Sequence, residues 1–327
     1  MRRSRSSAVL LVFLASAAAR GRAQTTGTIE GGAFLLVPVG ARATALGQAS
    51  AAEGGTTEAL FWNPAGLADI RHTELALHHY AAFFGNGDAF VLAVPANGLG
   101  VFTVGAYVVD YGDLELTTGP GVPPIGVITP RNVALEASYA TGIFGGLTAG
   151  IAYKLVQFRV DCSGDCAGVP TAVGTTHALD IGVRYALATG LPIVLGATIR
   201  NLGFKFQVNN QAQADPLPTR LQLGVAFVAL RPTAGMEGLD VRVLADMQGV
   251  VGQGDLAPAG LLGVESGYRE TLRVRVGYAF LDTQSRGPSL GLGLKVGRVG
   301  IDLAKTFYAA DAIGEKDPFQ VSLRLTF

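Results

Sequence analysis

The sequence has little charge and no apolar run long enough to form a membrane-spanning helix. Asp, Glu, Lys and Arg make up 15% of the 327 residues, against about 25% in typical soluble proteins. Hydrophobic residues make up 49%, which excludes a disordered chain, and the low charge disfavours a highly soluble cytosolic enzyme. The mean hydropathy is +0.36, yet no run approaches the ~18 apolar residues of a spanning helix. The composition therefore points toward a membrane, but not toward a helical membrane protein.

Residues that carry chemistry are also scarce. The two cysteines, Cys162 and Cys166, are separated by three residues, and an oxidising environment after export favours a small disulfide between them. A zinc site is disfavoured because no histidine lies beside them and two thiols do not complete one. His78 and His79 would point to opposite faces of a strand, so they cannot share a metal. We find no motif for a catalytic nucleophile, a phosphate loop or a carboxylate pair, and we predict no enzyme, metal or cofactor.

The first 23 residues have the features of a secretory signal peptide. Three arginines occur within the first five residues, the segment 8–19 is apolar, and Gly21 and Ala23 provide the small residues of a cleavage site. The alternative is a short buried helix. Cleavage before Gln24 removes five of the 25 basic residues and no acidic residue, which leaves 20 basic against 25 acidic residues and a net charge of −5. This balance gives no reason to expect nucleic acid as a partner.

Most of the remaining chain alternates between apolar and polar residues with period two. Leu272, Val274 and Val276 alternate with Arg273 and Arg275, and successive side chains of a strand point to opposite faces. Such segments predict fourteen strands, each near the ~9–11 residues of a tilted spanning strand. The predicted ranges are 73–81, 87–95, 98–110, 130–141, 145–159, 175–187, 191–202, 219–230, 239–247, 258–267, 271–281, 287–296, 299–308 and 318–327.

The connections between these strands alternate between short and long. Short connections include 96–97 and 297–298, and long ones include 111–129 and 309–317. Bacterial outer-membrane barrels have short periplasmic turns and long external loops, and only a closed sheet leaves no unpaired edge in hydrocarbon. We therefore predict an all-β, antiparallel transmembrane barrel over 73–327. It would be integral to the bacterial outer membrane, in contact with its lipids, with both chain termini in the periplasm.

One face of the predicted strands carries charges of both signs. We expect these side chains in the lumen, where they would form ion pairs or line a polar substrate path; the predicted set is Asp180, Arg184, Asp240, Arg242, Arg273, Arg275 and Arg324. Lys305 is the exception, since it falls on the outward face and would have to lie at the external interface. Fourteen strands enclose more space than side chains readily fill, so another part of the chain should occupy the lumen.

The segment 24–72 is the candidate for this hatch. The alanine-rich stretch 41–52 predicts a short helix that ends before Gly54 and Gly55, and Asn63 followed by Pro64 predicts the start of a second one. The string from Gly40 to Gly47 and the string Trp62, Asn63, Pro64, Ala65, Gly66, Leu67 resemble the N-terminal signature of the PorV/PorQ family. That family is similar to the long-chain fatty-acid (FadL-type) barrels, which share an Asn-Pro-Ala element near their N-terminus.

The resemblance implies a 14-stranded barrel with its hatch in the lumen. It also implies one of two functions: a role in type IX protein secretion, in which external loops dock secreted protein cargo or secretion machinery, or transport of hydrophobic small molecules. Docking is our first hypothesis and transport the alternative. A third hypothesis is a soluble secreted β-sandwich that acts as an adhesin-like binder, because a sandwich also alternates with period two.

Overall fold

The structure is a computed structural model that describes residues 30–82, 85–166, 172–188, 191–206, 214–231, 238–251, 258–269, 271–281, 286–307 and 317–327. The predicted signal peptide, 1–23, lies outside these residues. The strands are β1 (Glu74–Ala82), β2 (Gly85–Ala96), β3 (Gly100–Asp110), β4 (Leu114–Leu116), β5 (Gly126–Phe144), β6 (Leu147–Gly164), β7 (Ala172–Ala186), β8 (Ile193–Gly203), β9 (Arg220–Leu230), β10 (Leu239–Val250), β11 (Ala259–Tyr268), β12 (Leu272–Phe280), β13 (Gly287–Val296), β14 (Val299–Thr306) and β15 (Phe319–Thr326).

The strands form one closed antiparallel sheet. Each wall strand pairs with its neighbours in sequence order, and β1 pairs with β15, which closes the ring. The short strand β4 intervenes in sequence between β3 and β5, but these two strands pair directly with each other. Since β4 pairs only with the first residues of β5, fourteen strands make up the wall. The predicted 14-stranded barrel is confirmed, and the two-layer sandwich is wrong. Within the described part of the chain, no helix is long and apolar enough to cross a membrane.

The period-two pattern sorts side chains between the two faces of the wall. Outward residues such as Val276 and Leu292 are 49% and 53% exposed, whereas the inward Arg275 is 3% exposed. Apolar side chains thus cover the outer surface and polar ones face the lumen, the reverse of a soluble protein. Lys305 points outward next to Phe307, at the end of β14, with its Nζ 3.7 Å from Asp317.

The connections differ in length at the two ends of the barrel. At one end, here called the short-turn end, β5 and β6 are joined by two residues and β13 and β14 by Gly297 and Arg298. The opposite end, the long-connection end, carries the connections after β3, β6, β8, β10, β12 and β14. The connection of β1 to β2 is an exception, because only residues 83–84 separate these strands.

Strands β5 and β6 extend beyond their predicted bounds. They were expected over 130–141 and 145–159, but their pairing continues to Gly126 opposite Gly164. Together with β4 they form an arm at the long-connection end. The added residues were expected to be loop. They are paired because the β5–β6 hairpin continues its hydrogen-bond ladder beyond the neighbouring wall strands. Cys162 and Cys166 form the predicted disulfide at the end of this arm, with their Cα atoms 6.2 Å apart.

The lumen is filled by residues 30–73, here called the hatch. Its elements are a 3-10 helix at Ala33–Leu36, α1 (Ala41–Ala45), α2 (Ala59–Trp62) and a second 3-10 helix at Pro64–Asp69. The helix predicted over 41–52 is much shorter than expected, because the chain turns at Gly47 and Gln48, both with positive φ. The second predicted helix start is correct: Asn63 caps the helix that Pro64 begins.

The described chain ends lie at opposite ends of the barrel. The Glu30 carboxylate pairs with Arg220, the first residue of β9, and the Gly31 amide donates to the Pro216 carbonyl. These contacts are at the long-connection end. The Phe327 amide donates to the Thr73 carbonyl at the short-turn end. The expectation that both chain termini lie in the periplasm stays a prediction, because residues 24–29 lie outside the described ones.

Candidate functional site: the lumen

Glycines on the inner face of the wall let the hatch backbone touch the strands. A Cβ added at Gly277 would lie 2.0 Å from the Gly47 amide nitrogen, and one at Gly196 would lie 2.0 Å from the Ala51 carbonyl oxygen. Further close approaches occur at Gly105, Gly150, Gly182, Gly263 and Gly291. Real Cβ atoms do not pack this close to backbone atoms, so Gly150, Gly196, Gly263 and Gly277 require glycine. The contacts at Gly105, Gly182 and Gly291 are with hatch side chains. Part of the glycine content, 45 residues, thus serves to seat the hatch.

The Trp-Asn-Pro-Ala-Gly string joins the hatch to itself and to the wall. Asn63 is fully buried; its Nδ2 donates to the carbonyls of Ala51 at 2.5 Å and Val183 in β7 at 3.3 Å, while its Oδ1 accepts from the Ala65 amide. Trp62 Nε1 donates to the Val39 carbonyl at 2.9 Å. Pro64 packs on Gly150, and a Cβ at Gly66 would lie 2.5 Å from the Glu53 carbonyl.

The first group of lumen charges ties the hatch to β10, β11, β12 and β14. Glu265 accepts from Arg42 of the hatch at 3.1 Å and from Arg275 at 2.6 Å. Arg275 also donates to Asp302 at 2.6 Å, and Arg242 donates to Glu53 of the hatch at 2.7 Å. Arg42 also pairs with Glu53. Since a buried charge is tolerated only when paired, these bonds fix the hatch position.

A second group lies in the wall of β5 to β8. Lys154 Nζ is 2.8 Å from Asp180, which is fully buried, and 3.7 Å from Glu136. The register between β7 and β8 shifts at Asp180, and its carboxylate accepts from the amide of Asn201, which has φ 58°. The apolar–polar alternation of the sequence does not predict this bulge. Arg200, also in β8, donates to the Phe61 carbonyl and lies 4.7 Å from the Trp62 ring.

The remaining predicted lumen charges also have partners. Arg184 donates to Asp69 of the hatch at 2.6 Å and to the Ala52 carbonyl. Arg273 donates to Asp240 at 2.6 Å, and Arg324 lies 3.8 Å from Asp302. Of the predicted set, Asp180 and Arg184 belong to other ion-pair groups. Arg242, Arg273, Arg275 and Arg324 line one cavity, and Asp240 pairs with Arg273.

Unfilled cavities lie between the hatch and the wall. A small one, here called the hatch cavity, has a volume of about 20 Å³. It is lined by the apolar or aromatic residues Leu35, Val37, Val39, Phe61, Trp62 and Tyr107 and by Glu136, Lys154 and Arg200. The sequence offered a partial signal for it, the apolar run 34–39, but the orientation of that run could not be derived from periodicity.

A larger cavity, here called the mouth cavity, has a volume of about 210 Å³ and opens at the short-turn end. Its lining is polar: Arg42, Gly54 and Thr56 come from the hatch, and Arg242, Glu265, Thr271, Arg273, Arg275, Gly293, Leu294, Lys295, Asp302 and Arg324 come from the wall. Beneath it, Glu58 of the hatch accepts from the amides of Arg42 and Ala43. Burial, followed by the charge of Asp302, raises the pKa of Glu58 to about 7.

No group of three or more His, Cys, Asp or Glu residues that could hold a metal ion occurs within the described ranges. The hatch cavity and the mouth cavity differ in the side chains that line them. The hatch cavity is small and lined mainly by apolar and aromatic side chains, with three charged residues from the wall, and the mouth cavity is larger, cationic and open. The first can accept an apolar group if the hatch moves, and the second can accept a polar one.

No family model and no curated protein matches the chain significantly. Solved barrels do match its fold. The Ralstonia pickettii toluene transporter TbuX aligns with a TM-score of 0.59 and 14% identity over 90% of this chain and 100% of that one. The Pseudomonas putida toluene transporter TodX gives 0.58 and 16% over 88% and 98%. A Pseudomonas aeruginosa FadL homologue gives 0.50 and 13% over 89% and 99%.

The TM-scores and coverages show a shared fold, that of FadL-type barrels. The relationship to PorV/PorQ stays a prediction, because no family model matches. The neighbours described above are transporter barrels and not enzymes, and they lend no support to the secretion role that was our first hypothesis.

Proposed function

We propose that this protein is an outer-membrane channel for hydrophobic small molecules. The observation that carries the proposal is the hatch cavity. Apolar and aromatic side chains of the hatch line one side of it, and Tyr107, Glu136, Lys154 and Arg200 of the wall line the other. It lies inside a barrel whose fold is that of toluene transporters and a FadL homologue. The apolar outer surface of the wall supports the outer-membrane location.

In this proposal the segment 33–39 moves to admit the ligand. The cavity volume of about 20 Å³ is far below the ~150 Å³ of an engineered cavity that binds benzene, so a monoaromatic ring cannot enter the resting arrangement. The hydrogen bonds recorded between this segment and the rest of the protein lie at its end, where Trp62 Nε1 donates to the Val39 carbonyl and Gln320 Nε2 to the Pro38 carbonyl. The amides of Leu35 and Val37 donate locally, to the carbonyls of Gly32 and Phe34. The segment 41–69 is held by many more, so it would stay in place as a plug.

Cargo docking receives less support. An open lumen beneath large external loops would favour docking, but the described lumen is occupied by the hatch. Transport of hydrophobic compounds, our alternative from the sequence, therefore becomes the main proposal, and the secretion hypothesis has no observation of its own.

The test is uptake of labelled toluene by cells that produce the protein. Val37→Asp places a carboxylate in the hatch cavity, where Lys154 and Arg200 can bind it. The polar group makes the cavity unfavourable for an apolar ligand, so we expect uptake to fall about tenfold or more. Val122→Asp is the matched control, because Val122 is 43% exposed in the connection after β4. Equal uptake by the two variants, at equal amounts of folded barrel, would contradict the proposed route.

A further inference from the structure

The mouth cavity has more hydrogen-bond donors than the carboxylates around it can accept. Six cationic side chains line it, namely Arg42, Arg242, Arg273, Arg275, Lys295 and Arg324, against the two carboxylates Glu265 and Asp302. Glu53 and Asp240 pair with these arginines from just behind the lining. Counting these four carboxylates, and Glu58 beneath the cavity as a fifth, the described groups leave a net charge of at least +1 around a cavity of about 210 Å³.

The carboxylates are already used. Glu265 accepts from both Arg42 and Arg275, and its second oxygen lies 4.0 Å from Arg242. Asp302 accepts from Arg275 and lies 3.8 Å from Arg324. Among the described residues, neither carboxylate accepts a hydrogen bond from Arg273 or Lys295.

Several donors are left over. Arg242 Nε is buried without a hydrogen-bond partner. Arg273 has one bond, to Asp240, although a guanidinium carries five N–H donors. Among the described residues, the structure records no side-chain hydrogen bond or ion pair for Lys295, which stands at the open rim. Arg42 and Arg275 are 8% and 3% exposed, so part of the site lies in a low-dielectric environment where an anion is attracted more strongly than in water.

We propose that the mouth cavity binds a small oxyanion, a carboxylate or phosphate group. Guanidinium groups recognise both by paired N–H···O bonds. The volume corresponds to roughly seven water molecules at ~30 Å³ each, which suits a phosphate or a short dicarboxylate and not a lipid chain or a folded segment. Because Arg42 and Thr56 belong to the hatch and the other donors to the wall, a bound oxyanion contacts both. This proposal does not depend on hydrophobic transport.

Isothermal titration of the detergent-solubilised full-length protein tests the site, with inorganic phosphate and succinate as separate probes at low, constant chloride. We expect at least one probe to bind in a 1:1 ratio, and the comparison identifies the preferred oxyanion. The double variant Arg273→Gln and Lys295→Gln removes two rim donors without touching the hatch, and its dissociation constant should rise about tenfold or more.

Arg159→Gln is the matched control, since Arg159 lies exposed on the arm and pairs with Asp161. It should bind like the wild type. The single variant Lys295→Gln replaces the double variant if heat-modifiability shows that the latter does not fold. Absence of binding of both probes to the wild-type protein, or equal affinity in the rim variant, would overturn the proposal.

Discussion

At the scale of single residues, the inner-wall glycines that contact the hatch differ from glycines with open space around them. We call the first kind seating glycines. Gly277→Ala places a Cβ 2.0 Å from the Gly47 amide nitrogen, so hatch or strand must shift. We expect a loss of about 1–3 kcal/mol, typical of overpacking, measured as a lower denaturant or temperature midpoint of the heat-modifiable form. Gly142→Ala is the control, because a Cβ at Gly142 meets nothing within 4 Å. Equal midpoints for the two variants would contradict the seating role.

Asn63 is the second residue with a defined structural role. Asn63→Ala leaves the Ala51 and Val183 carbonyls without the amide that now donates to them, and an unsatisfied buried polar group costs about 1–3 kcal/mol. We expect faster proteolysis of the hatch while the wall stays intact. Asn97→Ala, in the exposed turn between β2 and β3, should leave the digestion rate as in the wild type. A wild-type rate for Asn63→Ala would argue against the anchor.

The buried Lys154 and Asp180 pair makes a third residue-level prediction. Lys154→Met removes the cation 2.8 Å from a fully buried carboxylate, and breaking a buried pair from one side costs about 3–5 kcal/mol. Adding Asp180→Asn removes the stranded charge and should recover part of the loss in an unfolding titration. No recovery in the double variant would show that the two side chains do not act as a pair.

At the scale of elements, the apolar–polar alternation predicted the wall well. Every wall strand has lipid on one face and the lumen on the other, so each needs apolar residues at every second position. All fourteen predicted wall strands exist, with the main errors at the long-connection ends of β5 and β6. There the arm continues beyond the neighbouring strands. The apolar–polar alternation stops earlier along the chain than the β5–β6 hydrogen bonds do, so it underestimates the length of these strands.

The hatch could be predicted only in part. Its existence followed from the lumen volume and the break in period two, and the Asn63 cap from local chemistry. Its contacts did not follow, because they depend on which wall glycine meets which hatch residue, as at Gly277 and Gly47. The alternation predicted correctly that Arg242 and Arg275 face the lumen. It could not predict that they share the acceptor Glu265 with Arg42, because Arg42 is far from Glu265 in sequence. The bulge at Asn201 depends on Asp180 in another strand and was likewise not predictable.

The two ends of the barrel give the element-scale test of orientation. We expect the long-connection end to face outward, so Gly119→Cys, after β4, should react with a membrane-impermeant maleimide on intact cells. Gly142→Cys, at the short-turn end of β5, should react only after the outer membrane is permeabilised. The native cysteines form a disulfide and should not interfere. The opposite labelling pattern would reverse the orientation.

At the scale of the whole molecule, the wall and the hatch have different tasks. The wall presents apolar side chains outward and has no unpaired edge in its ring, as a sheet in hydrocarbon must. The hatch fills the lumen and, through the ion pairs of Arg42 and Glu53, is fixed to the wall. Such a plugged barrel should not conduct water-soluble compounds, which distinguishes it from an open pore.

The most direct measurement compares the entry of labelled toluene and of labelled glucose into cells with and without the protein. The account predicts faster toluene entry in producing cells and unchanged glucose entry, since the ligand passes an apolar cavity beside a seated plug. Equal acceleration of both compounds would contradict the plugged lumen, and unchanged toluene entry would contradict the transport of hydrophobic molecules.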